Sequence, residues 1–119
     1  MGFLYYGHYA LYYELGRVEA LRSLGIRYRD MEDELDIMLP VVSMECKYLR
    51  PARYDDVVKI VTELRELPDS YINFHYELYN EKEALLNIAK VKLCFYDRKL
   101  GRRIRTPEFV LEKLNGFFE

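Results

Sequence analysis

Apolar and aromatic residues open the chain at helical spacing. Between Tyr6 and Leu24 there is no proline. Tyr9, Tyr13, Gly16, Ala20 and Leu24 share one line along a helix, and Leu11, Leu15 and Val18 form a second. Glu14, Arg17 and Arg22 occupy only part of the surface that remains, so the pattern predicts a mostly buried helix that stops at Gly25. A glycine inside a helix costs about 1 kcal/mol relative to alanine. Gly16 therefore predicts a close approach of this helix to a sheet. The polar stretch from Arg27 to Asp36 reads as a loop.

Beyond it the period changes from helical to two. Val42, Met44, Cys46 and Tyr48 alternate with Ser43, Glu45 and Lys47, which predicts a strand with one buried face. Leu49 to Asp56 is a turn or bulge in which Pro51 cannot donate to a ladder. A second strand runs from Val57 to Leu67. In the third, Ile72, Phe74, Tyr76 and Leu78 alternate with Asn73, His75 and Glu77. The fourth, Ala84 to Tyr96, sets Ala89, Val91, Leu93 and Phe95 against Lys90 and Lys92. Turns are expected at Pro68–Ser70, Asn80–Glu83 and Asp97–Gly101. Thr106, Pro107 and Glu108 read as N-cap, first helical position and first-turn acid of a short closing helix. The order predicts an α+β chain: four strands in an antiparallel meander, covered by the first helix.

Composition narrows the possible roles. The 119 residues fit one domain spanning 1–119, with 18 Lys+Arg against 20 Asp+Glu and a net charge of -2. That balance argues against general nucleic-acid binding, which calls for a basic excess. No apolar run reaches the roughly 18–20 residues of a membrane span. The N-terminal stretch, broken by Glu14 and Arg17, lacks the basic start of a signal peptide. Tyr6 stands where a myristoylation motif wants Ser or Thr. Cys46 and Cys94 suit neither a disulfide framework nor a zinc site and read as buried, inert thiols, so a cytoplasmic protein is expected. His75 reads as exposed on a polar strand face.

Three blocks, in order and at matching separations, carry a family resemblance. They are Gly2 to Arg17 (GFLYYGHYALYYELGR), Leu39 to Asp56 (LPVVSMECKYLRPARYDD) and Cys94 to Pro107 (CFYDRKLGRRIRTP). Together they resemble the hotdog-fold acyl-CoA thioesterases of the 4-hydroxybenzoyl-CoA thioesterase-like family, over essentially the whole chain. The resemblance implies an antiparallel sheet wrapped around one long central helix. It implies a homodimer or homotetramer with active sites at subunit interfaces, and no metal or redox cofactor. Gly2 matches the Gly of the family's Asp-x-x-Gly motif. The catalytic Asp would then fall two positions before Met1, together with the family's first strand. The expectation is a start inside the motif, with that carboxylate upstream.

Thioester hydrolysis needs a carboxylate to attack or to activate water, and donors for the developing oxyanion. The resemblance assigns the donor to the backbone of Tyr6, beside Gly7, and free N–H groups at a helix start agree with that role. His8 is a candidate for orienting substrate or water, against a capping or interface role. Glu14, the one acid among the apolar lines of the helix, is the fallback base if Met1 is the true start, and burial there would raise its pKa as suits a base; the plainer reading is an ion pair with a neighbour such as Arg17. Tyr5, Tyr9, Tyr12 and Tyr13 would line an acyl or aryl pocket, or simply fill the core. Arg50, Arg53, Arg98 and Arg102, with Lys99, Arg103 and Arg105, are candidates for CoA phosphates, against solvated turns. The implied activity is acyl-CoA hydrolysis to a free acid and CoA. Acyl carrier protein thioesters are an alternative substrate, and a non-catalytic domain that binds acyl thioesters is the rival class.

Overall fold

The structure is a computed structural model that describes residues 6–50 and 57–117, with side chains from residue 9 and through residue 116. The expected turn at Pro51–Asp56 lies outside the described residues, as do Gly2, Tyr5 and Arg53. Helix α1 (Tyr6–Ser23) ends as its sequence predicts. Gly25 takes a left-handed φ of 85°. Its N–H donates to the Arg22 carbonyl, and the Ile26 N–H reaches back to Leu21. Leu21 and Ile26 are both buried, which gives this stop its usual hydrophobic closure.

The stretch expected to be a loop is instead a two-turn helix, α2 (Tyr28–Leu35). Its charged residues hide a helical spacing: Met31 is buried and Tyr28, one turn earlier, packs against the core. Asp36, at a positive φ of 56°, ends it. The strands are β1 (Ile37–Met38), β2 (Val41–Tyr48), β3 (Lys59–Leu64), β4 (Tyr71–Tyr79), β5 (Leu85–Asp97) and β6 (Arg102–Ile104). Helix α3 (Glu108–Leu114) and a single 3-10 turn (Asn115–Phe117) follow. Thr106 does not cap α3 as expected; Pro107 holds that position, and the Thr106 hydroxyl donates to the Asp69 carbonyl at 2.7 Å.

All pairings are antiparallel, but the sheet is not a meander. β5 is its centre, with β4 along one edge and β2 along the other, and β3 lies outside β4. The segment from Leu49 to Val58 is too long for a tight hairpin, so β2 and β3 separate to opposite sides of the β4–β5 pair. β1 and β6 flank the far end of β5, where Asp97 faces both Ile37 and Arg102.

One face of β4 and β5 is the core wall. Ile72, Phe74, Tyr76 and Leu78 alternate as predicted and are buried with Ala89, Val91, Leu93 and Phe95. Each such apolar side chain contributes about 1.5–3 kcal/mol when fully buried. α1 crosses this face, led by Tyr9, Tyr13, Arg17 and Leu21. It is less buried than its composition predicts: Leu11 and Leu15 are each 51% exposed. Arg17, expected at the surface, is buried instead. β2 also departs from expectation: Met44 and Tyr48, opposite the inward Val91 and Asn87, are more than 40% exposed, as is Val42 at a register shift in the ladder. The alternation is present, but among the described residues β2 is covered only in part, at Cys46 and where Tyr9 meets Tyr48.

Gly16 sets the spacing between helix and sheet. A Cβ there would lie 2.5 Å from Thr62 Oγ1 and 3.3 Å from Ile60 Cγ2 and the Tyr76 ring. Gly16→Ala is therefore expected to destabilise the protein by about 1–3 kcal/mol in urea unfolding, despite alanine's better helix propensity. Thr62→Ala, which removes the nearest atom, should recover part of that loss in the double variant.

Candidate functional site

The start of α1 is the natural place for a charge-stabilising site. Its first-turn N–H groups, from Tyr6, Gly7 and His8, have no partner within the helix and sit at its positive end. Side-chain placement of these three lies outside the described residues. What surrounds this end is aromatic. The Tyr9 ring meets the Tyr48 ring of β2 edge-on, with centroids 5.2 Å apart. One turn later the Tyr13 ring lies 4.8 Å from that of Tyr76. Tyr9 and Tyr13 are buried and Tyr12 is partly exposed. The predicted tyrosines from Tyr9 onward thus divide: two face the sheet and one stands aside. Along β2 from Tyr48, Met44 and Val42 are also exposed apolar residues, while Cys46 between them packs against the core.

Below the Tyr9–Tyr48 pair is a buried polar contact that the sequence reading missed. Tyr13 donates its hydroxyl to Asn87 Oδ1. Asn87 sits on β5 opposite Tyr48 and Leu78 and is wholly buried. A register shift beside it leaves Leu86 unpaired with β4, and the Leu86 carbonyl accepts from both Leu49 and Arg50 N–H. Both Leu86 and Asn87 consequently face inward. The carboxamide Nδ2 of Asn87 has no hydrogen-bond partner. A buried donor left unmet costs about 1–3 kcal/mol, so its retention calls for an explanation. An asparagine at an inward strand position was the available signal. Burial pushes the Tyr13 phenol far above its ordinary pKa, and the neighbouring Cys46 thiol adds to the shift.

A second buried polar group lies farther along α1. The Arg17 guanidinium is close enough to the phenols of Tyr28 and Tyr76 to act on both electrostatically. Nevertheless, Arg17 Nε and both hydroxyls lack a hydrogen bond of ordinary geometry. Burial raises the Tyr76 phenol to about 12, with Arg17 pulling the other way. The Tyr28 phenol is likewise raised by burial.

Glu14 does not meet the condition set for it. It is exposed, between Leu11 and Leu15 on the side of α1 away from the sheet. The burial on which a base role would rest is therefore absent in the protomer. It also makes no ion pair with Arg17 among those found between described residues.

The candidate CoA-binding arginines do not converge within one protomer. The Arg50 N–H bonds Leu86 at the start of β5, whereas Arg98 and Arg102 flank Asp97 at its end. At about 3.3 Å per residue these ends are roughly 35 Å apart along the strand. Arg98 is already engaged, with Asp36 at 2.9 Å and the Glu32 carbonyl at 2.8 Å. Another cationic group forms around Tyr71: Lys92 Nζ lies 4.5 Å from the ring centroid, and Arg103 donates to the hydroxyl at 3.0 Å.

The outer face of the sheet is polar. Glu45, Lys90, His75 and Glu63 stand in register across it. A surface depression of about 430 Å³ there is lined by Glu45, Lys47, Arg65, His75, Glu77 and Lys90 among others. Its charged floor and its position on the face opposite α1 separate it from the helix N-terminus. His75 is held below its ordinary pKa by partial burial and by Arg65 and Lys90. Cys94 is buried as expected, but Cys46 is partly exposed. Among the described residues, no group of three His, Cys, Asp or Glu side chains could hold a metal, and no helix is long and apolar enough to cross a membrane.

Known proteins share this architecture. The family model for the thioesterase superfamily matches residues 1–87. The acyl-CoA thioester hydrolase YbgC of Escherichia coli O157:H7 is 30% identical over 112 residues, covering 93% of this chain and 83% of that one. A DHNA-CoA thioesterase from Staphylococcus aureus superposes with a TM-score of 0.85 at 27% identity, over 100% of this chain and 85% of that one. A hypothetical protein from Thermus thermophilus gives 0.88 at 29%, over 98% and 87% of the two chains. The chain belongs to the thioesterase superfamily, and its antiparallel sheet curled around one long helix is the hotdog fold.

The buried phenol of Tyr76 makes stability depend on alkali. Its folded pKa of about 12 lies above the unfolded value near 10.0. Its contribution is therefore complete below about pH 10 and lost as pH rises toward 12. Urea midpoints are expected to fall across that window, and Tyr76→Phe should make the fall shallower.

Proposed function

We infer that this chain hydrolyses acyl-CoA thioesters, releasing a free acid and CoA. The observation that carries the reading is the start of α1: first-turn N–H groups with no acceptor inside the helix, next to the Tyr9–Tyr48 ring pair and the exposed apolar residues of β2. A thioester carbonyl seated there gathers negative charge as it is attacked, and the amides of Tyr6 and Gly7 stabilise that charge better than the neutral ground state. The acyl group lies along the aromatic side, and the CoA thiolate leaves toward solvent. Membership of the thioesterase superfamily and the similarity to acyl-CoA thioester hydrolases support this chemistry. Arg50 near the start of β5, and Arg98 and Arg102 at its far end, serve CoA phosphates only if different subunits supply them; Arg53, outside the described residues, is a further candidate. His8 orients the substrate or its water. The reaction takes place in the cytoplasm.

The same reading makes the chain a homodimer at least. Among the described strands β2 pairs with β5 alone, and its Val41, Val42 and Met44 are about half exposed. An open strand edge bearing apolar side chains is a pairing surface, and a second copy of β2 satisfies it. Light scattering after gel filtration is expected to show twice the chain mass, with Met44→Glu shifting the protein toward monomer.

Release of free CoA from a panel of acyl-CoAs is the direct test of activity. Thiol release with saturation kinetics is expected; saturable binding without release would make the chain an acyl-thioester binder instead. Glu14 lies about 12 Å along the helix axis from Tyr6, by the rise per residue, and faces away from the sheet. Glu14→Gln is thus expected to lower kcat less than tenfold. A loss of a hundredfold or more would assign the attack to a carboxylate delivered by a second copy.

A further inference from the structure

Resting on the hydrolase reading, we propose that Asn87 is a specificity-determining residue whose carboxamide donates to an oxygen acceptor carried by the acyl group. The phenol of Tyr13 occupies Oδ1 of Asn87 and so fixes which end of the amide is committed. Nδ2 is left with no partner in a side chain that is wholly buried. The Tyr13 hydroxyl is placed on Oδ1 and does not accept from Nδ2, and the flanking strand residues Leu78 and Leu86 are apolar. The unmet group is a donor, so what completes it is an acceptor.

Its position lies on the acyl side of the candidate site. Tyr13 stands seven residues beyond Tyr6, about 10 Å along the helix axis. Tyr9 is on the same face between them, against Tyr48, the β2 residue directly opposite Asn87. An acyl group anchored at the first-turn amides and passing the Tyr9–Tyr48 pair reaches Asn87 from above. A hydrogen bond takes up about 3 Å of the distance. The acceptor then belongs about 6–7 Å beyond the thioester carbonyl, a length spanned by a para-substituted ring or a four-carbon chain. Tyr48 is 42% exposed, so the residue opposite Asn87 borders solvent. A site with a buried donor rejects acyl groups that leave it unpaired, which is selection by chemistry rather than size.

The test compares kcat/KM within two size-matched pairs: 5-oxohexanoyl-CoA against hexanoyl-CoA, and 4-hydroxybenzoyl-CoA against 4-methylbenzoyl-CoA. The full chain is expected to prefer the acceptor-bearing member of at least one pair by tenfold or more, and the favoured pair tells chain from ring. In Tyr13→Phe/Asn87→Leu, which removes both polar partners together, the preference should fall to about one. Asn87→Asp keeps the shape but replaces the donor with a carboxylate, and it should abolish or invert the preference. Equal kcat/KM within both pairs for the native chain overturns the proposal, as does a preference that survives in whichever of these variants folds. Absence of CoA release from all four thioesters would instead overturn the hydrolase reading.

Discussion

The approach of α1 to the sheet at Gly16 is the constraint on which the rest of the architecture depends. Because Gly16 presents only hydrogen to Thr62, Ile60 and Tyr76, the helix lies closer to β3 and β4 than a side chain would permit. That closeness brings Tyr13 within reach of Asn87 and sets Tyr9 against Tyr48, so the aromatic wall beside the helix start follows from a missing methyl group two turns away. It also encloses Arg17 between α1, α2 and β4. A guanidinium in such a place is costly unless polar groups surround it, and the phenols of Tyr28 and Tyr76 are the groups provided.

Much of this was legible in the chain itself. The period-two pattern of Ile72 to Leu78 and of Ala89 to Phe95 gave the core wall without error, because those strands are covered on one face by the protein's own helix. Gly25 and the turn at Asp97–Gly101 were readable because each needs a particular residue: Gly25 and Gly101 both have positive φ, and Asp97 Oδ1 accepts from the N–H groups of Lys99 and Leu100. The misreadings have physical causes too. In α2 the eight residues carry so much charge that the inward pair Tyr28 and Met31 was outweighed. In β2 the alternation was real, but periodicity alone does not tell which strand the helix covers, and Val42, Met44 and Tyr48 stay exposed.

The candidate site was less legible than the fold. A helix start announces its amides in sequence, and tyrosines at helical spacing announce an aromatic face. Neither reveals which tyrosine meets which strand residue. Asn87 could be seen as a polar residue on an inward position, but its partners emerge only when the strand register places it opposite Tyr48 and the helix brings Tyr13 to it. The arginines show the opposite limit. They look clustered as residue types, but the length of β5 separates them.

The place of β2 in the sheet has a consequence for how the chain is made. Val41 to Tyr48 leaves the ribosome well before Leu85 to Asp97, the only described strand it pairs with. Until β5 is synthesised, the Val-Val-Ser-Met-Glu-Cys stretch has no ladder to join within its own chain, while β3 and β4 can already close as a local hairpin. Long-range pairings of this kind form late and leave strand edges exposed in the meantime. The nascent protein therefore passes through an interval in which its most adhesive segment is unpaired, and Glu45 and Lys47 are the charges within that segment that oppose premature association with other chains.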